Sequence, residues 1–108
     1  MMDYLIIYKV NKMTRGRKPD APSIKKRKAI LKRIDVLVKN SNCENGVKLY
    51  NRIRRVIGIE IDSTDGHVSQ CFNFKRDGSD QFWAMVNNAI TDIEKNNIVS
   101  LLVEKYGI

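Results

Sequence analysis

Residues 56–75, VIGIEIDSTDGHVSQCFNFK, decide the fold class read from this chain. VIGIEID (56–62) and VSQCFNFK (68–75) contain β-branched and aromatic residues and look like two strands. Between them lies STDGH (63–67), whose Asp65-Gly66 pair is favoured in tight hairpin turns. The stretch predicts a β-hairpin.

Helical spacing surrounds it. Upstream, Ser23 is placed to cap a helix beginning at Ile24, with Ile24, Ile30, Leu31, Ile34, Leu37 and Val38 as its apolar stripe. That helix is expected to end near 40–45, where SNCENG (41–46) reads as a loop. A second helix over about 47–56 has a weaker apolar face of Val47, Tyr50, Ile53 or Arg54, and Ile57. Downstream, Gly78-Ser79 breaks the pattern, and Ser79 or Asp80 caps a third helix. Its stripe is Phe82, Met85, Val86, Ala89, Ile90 and Ile93. Asn96-Asn97 separates it from a last helix, 98–106, with Ile98, Leu101, Leu102 and Tyr106, closed by Gly107.

At the start, YLIIYKV (4–10) reads as a short strand, and Met13 looks like an alternative start. Residues 14–22 carry Gly16, Pro19 and Pro22 among charges and read as an exposed arm. The expected class is therefore α+β. A strand and flexible basic arm occupy 1–22, and a small domain of two helices, a hairpin and two C-terminal helices occupies 23–108.

The chain has 108 residues and a net charge of +8. That length suits one modest core. Residues 1–55 carry nine Lys and seven Arg against four acids, +12, while residues 56–108 carry four cations against eight acids, −4. Such bipolarity suggests a basic binding element joined to an acidic body. No apolar run is long enough for a bilayer span, and the first residues do not resemble a signal peptide, so a cytoplasmic protein with no membrane partner is expected. Ile, Lys and Asn supply 35 residues, a composition written by AT-rich codons, as in a small bacteriophage or bacterial accessory protein.

Cys43 and Cys71 are too few for a disulfide scaffold and read as free core residues. With His67 they are the chain's three Cys and His residues, too few for a four-ligand Cys/His zinc site. Asp65, His67 and Ser69 alternate across the expected turn without a nucleophile elbow, and His67 reads as an exposed turn residue. No phosphate-cradling Gly-rich loop is present. An enzyme, a metal, a cofactor and a small-molecule substrate are all unexpected.

The charged motifs carry more information. Arg15-Gly16-Arg17-Lys18-Pro19 resembles the AT-hook, a DNA-binding element built on Arg-Gly-Arg-Pro, with Lys18 interposed before the proline. The resemblance implies an extended backbone in the AT-rich minor groove, where concentrated negative potential attracts inserted Arg. Lys25, Lys26, Arg27 and Lys28 then crowd the first turn of the first helix, the end whose dipole disfavours cations. A phosphate backbone would reverse that penalty, so removing Lys26 and Arg27 is expected to leave melting unchanged or raise it. Lys32 and Arg33 continue this helix, and Arg52, Arg54 and Arg55 form a third patch on the next.

Residues 82–107 are similar to the last two helices of periplasmic solute-binding proteins of amino-acid transporters. Phe82, Val86, Asn87, Ala89, Ile90, Lys95, Ile98, Lys105, Tyr106 and Gly107 carry the likeness. These are packing and punctuation positions, and no function follows from them. Trp83, beside the apolar stripe, reads as a core or interface anchor. Together these features predict a DNA-binding accessory protein, nucleoid-associated or transcription-modulating, that contacts DNA through residues 14–55 and has a homodimer surface on its C-terminal helices. DNA is preferred to RNA as the partner. The alternatives are an RNA- or ribosome-binding protein and an inhibitor of an acidic host protein.

Overall fold

A computed structural model describes residues 21–108. The described residues form five helices: α1 (Ile24–Asn40), α2 (Gly46–Glu60), α3 (Asp65–Phe72), α4 (Asp80–Lys95) and α5 (Ile98–Tyr106). Among them there is no strand, so the expected α+β class with its hairpin is corrected to an all-helical fold. The strand expected at 4–10 lies outside the described residues.

Burial shows why the hairpin reading fails. A strand through 56–62 would put Ile57, Ile59 and Ile61 on one face. Instead Leu49, Ile53 and Ile57, spaced by four, are fully buried, while Ile59 is 81% exposed. The apolar face of α2 thus runs one turn past the expected end at residue 56. The helix stops where Asp62 takes a left-handed φ of 56°. Its N–H donates to the Ile59 carbonyl at 3.2 Å, and the Ser63 N–H donates to the Gly58 carbonyl at 2.9 Å. This paired closure satisfies the last carbonyls of the helix.

The Asp65-Gly66 pair then opens a helix instead of a turn. The Thr64 hydroxyl accepts the His67 N–H at 3.2 Å, and Asp65 lies in the first turn, where the helix dipole favours an acid. Val68, Cys71 and Phe72 are buried at i, i+3 and i+4. Gly58 makes room for the loop that follows α2, since a Cβ there would sit 3.2 Å from the Ser63 carbonyl oxygen.

The outer helices follow their expected signals. Ser23 caps α1 by accepting the Lys26 N–H at 3.1 Å, and Ser79 caps α4 by accepting from Phe82 at 3.0 Å. Helix α1 packs on α2 and α4, α2 also on α3, α4 and α5, and α4 on α5. Lys26 pairs with Asp80, and Arg33 meets Asn87. Each partner lies seven residues further on, so α1 and α4 run parallel. One core results, with Ile34, Leu49, Ile53, Ile57, Val68, Val86 and Ile90 fully buried.

Candidate nucleic-acid interface

The fold separates the basic residues into two groups. Arg27 is 2% exposed. Its guanidinium lies 3.6 Å from the Asp77 carboxylate, donates to the Asp77 carbonyl at 3.4 Å and sits 5.7 Å from the Phe74 ring centroid. The Trp83 indole N–H donates to the same carbonyl at 2.8 Å. Arg27 therefore joins the start of α1 to the 73–79 loop and has almost no surface for a phosphate. The expectation that melting survives its removal is reversed.

Arg33 is a clamp between parallel helices. It donates to the Asn87 side-chain oxygen at 2.6 Å, the Thr91 hydroxyl at 3.1 Å and the Glu94 carboxylate at 2.7 Å. Arg54 grips Asp65 through two N–H groups at 3.1 and 3.2 Å, tying α2 to the start of α3. Lys26 pairs with Asp80 at 3.7 Å, both well exposed. Each of these four pairs joins a cation of the basic half to an acid of the acidic half. Part of the charge bipolarity thus acts as intramolecular adhesion.

The remaining described cations of the basic half face outward, apart from half-buried Arg52. Lys25, Lys28 and Lys32 are exposed and recur at i, i+3 and i+7, the spacing of one helix side. That side is opposite Arg27, Ile30, Leu31 and Ile34, the buried residues of α1. None of the three forms an ion pair with a described residue. Exposed Lys39 continues the stripe and was missed by the sequence reading, although its spacing from Lys32 would have placed it there. On α2, Lys48, Arg52 and Arg55 share another side. Arg52 is half-buried, its guanidinium carbon 3.8 Å from the Tyr106 ring centroid, while Arg55 is exposed. Arg15, Gly16, Arg17 and Lys18 lie outside the described residues. Of the arm read as exposed, Ala21 and Pro22 are described, and both are buried.

Trp83 is a core residue, 1% exposed. His67 is half-buried on α3, not exposed in a turn. Its Nε2 lies 3.7 Å from the Cys71 sulfur, and its ring meets Phe82 edge-on at 5.3 Å. Cys71 is buried and Cys43 half-buried, and the two are not joined in a disulfide. Among the described residues no group of three or more His, Cys, Asp and Glu side chains is placed to hold a metal, and no helix is long and apolar enough to cross a membrane. Burial and the Asp35 carboxylate raise the Tyr50 hydroxyl pKa above its ordinary 10.0, against a smaller opposing effect of Arg54.

The apolar stripe of α4 packs into the chain's own core, with Met85, expected inside, 37% exposed. Leu101 and Tyr106 are the exposed large apolar residues of α5. No family model, curated protein or solved structure matches the chain.

Proposed function

We propose that the protein is a non-enzymatic DNA-binding accessory protein that lays the outer side of α1 along a duplex phosphate backbone. One observation carries this reading. Lys25, Lys28 and Lys32 form a stripe opposite the core without an acid partner among the described residues, whereas Lys26, Arg27, Arg33 and Arg54 are matched with acids. Unneutralised cations in one line repel each other, and a polyanion turns that repulsion into attraction with counterion release. The Arg15–Lys18 segment lies just upstream in sequence and would extend the contact into an AT-rich minor groove.

Arg27, Arg33 and Arg54 act in this reading as structural residues. The test is duplex binding by the triple variant Lys25→Gln, Lys28→Gln, Lys32→Gln. Affinity is expected to drop at least tenfold at low salt while the melting temperature stays within a few degrees of wild type. Unchanged duplex affinity would refute the assignment. Tighter binding of duplex RNA than of duplex DNA would move the reading to the RNA alternative.

A further inference from the structure

We propose that the outward side of α2, together with the end of α5, is a second surface that binds single-stranded nucleic acid. The Arg52–Tyr106 stack is the platform for an unpaired base, and Lys48, Arg55 and Lys105 contact its phosphates. This rests on the nucleic-acid reading above and deepens it, assigning a different form of polymer to a different side of the molecule.

Lys48, Arg52 and Arg55 fall at i, i+4 and i+7 on α2, a side that borders its buried Leu49, Ile53 and Ile57, with Lys48 and Arg55 exposed and Arg52 half-buried. Their Cβ atoms are therefore about 5–6 Å apart from one to the next. Lys105 brings a fourth cation, its Nζ 5.5 Å from the centroid of the same Tyr106 ring. None of the four forms an ion pair with a described residue. Neighbouring Arg54, one position from the stripe, is bound to Asp65 and turned to another side.

Tyr106 distinguishes this patch from the α1 stripe. It is 38% exposed, with Arg52 lying 3.8 Å from its ring centroid. A guanidinium is planar and weakly hydrated on its faces, so one resting over a ring can take a second planar group on its other face. Holding Arg52 in advance also lowers the entropy cost of using it. Every base has a π-face suited to that position, but a duplex keeps its bases stacked inside, whereas a single strand can present them. A polyanion without aromatic rings, such as polyglutamate, could neutralise the four cations but has no aromatic face for the stack.

The test uses the full chain and fluorescence anisotropy with three labelled probes: an oligothymidylate, an abasic strand of equal length and a duplex. Arg52→Lys keeps the charge and loses the plane. Tyr106→Leu removes the ring, and Tyr106→Phe retains it. Arg52→Lys and Tyr106→Leu are expected to weaken oligothymidylate binding by about 5- to 100-fold. They should leave abasic-strand and duplex binding unchanged, with Tyr106→Phe like wild type and all three variants melting normally. Equal losses on oligothymidylate and abasic strand would reduce the patch to charge alone and overturn the platform. Undiminished oligothymidylate binding by Arg52→Lys, or displacement of the strand by polyglutamate at equal charge concentration, would overturn it as well. If the α1 lysine variant loses duplex affinity while Arg52→Lys leaves strand affinity intact, this proposal falls and the duplex reading stands. If no probe binds, both fall.

Discussion

Arg27 and Lys28 are adjacent in sequence and differ in burial: the Arg27 guanidinium is buried beside Asp77 and Phe74, and the Lys28 ammonium meets solvent. Truncating Arg27 to Ala should therefore destabilise by roughly 3 kcal/mol, as when one partner of a buried pair is removed. The Arg27 Nε is buried without a hydrogen-bond partner, so Arg27→Met, which keeps the stem and removes that orphan, should cost clearly less than Arg27→Ala. Urea denaturation gives both values, and equal costs would show that the stem contributes nothing and that the whole loss comes from the missing guanidinium contacts. Gly78 is constrained nearby. Its φ is +72°, and a Cβ would lie 2.8 Å from Trp83 Nε1. Gly78→Ala should thus cost at least about 1–2 kcal/mol. Tyr50 adds a pH dependence at the alkaline end. Its hydroxyl pKa is raised in the folded state, so its contribution is complete below the unfolded value of 10.0 and is lost as pH rises through the folded value. Stability should fall with pH above about 10, and Tyr50→Phe should remove that part of the slope in a series of alkaline melts.

Helix α3 is the element on which the fold class turns, and Gly66 tests it directly. In an Asp-Gly hairpin turn Gly66 would need a positive φ, and alanine there would destabilise. In the first turn of α3 nothing lies within 4 Å of an added Cβ. Gly66→Ala should therefore stabilise, by up to about 1 kcal/mol, and a lower melting temperature would favour the hairpin. Thr64→Ala removes the cap and should cost about 1 kcal/mol. Much of the rest was legible. Ser23 and Ser79 marked the starts of α1 and α4, and Asn96-Asn97 marked the break before α5. Over 56–62 alternation and helical spacing coexist, because Ile57, Ile59 and Ile61 alternate while Leu49, Ile53 and Ile57 repeat by four. Only burial decides between the two periods, and burial depends on neighbours far along the chain. The same limit applies to the candidate site. Lys25, Lys28 and Lys32 were identifiable as outward cations from their spacing, but the acids that claim Arg27, Arg33 and Arg54 come from the 73–79 loop, α4 and α3. Those partners are 50, 61 and 11 residues away.

At the scale of the whole molecule, charge serves two ends. The basic and acidic halves are joined by Lys26–Asp80, Arg27–Asp77, Arg33–Glu94 and Arg54–Asp65, while Lys25, Lys28 and Lys32, without an ion-pair partner among the described residues, are the cations proposed to meet a polyanion. The upstream arm adds a second expectation. Arg15→Ala with Arg17→Ala should weaken binding to AT-rich duplex more than to GC-rich duplex, since a narrow minor groove rewards inserted arginine. Equal losses would make the arm a general phosphate contact. The most direct test of the division of labour is the salt dependence of duplex affinity, measured for the wild type and for the Lys25→Gln, Lys28→Gln, Lys32→Gln variant, with melting temperatures alongside. Each phosphate contact contributes roughly −0.9 to the slope of log affinity against log salt. The triple variant should therefore show a slope shallower by about 2 to 3 and unchanged melting. Wild-type slope and affinity in that variant, or a wild-type slope near zero, would contradict the account.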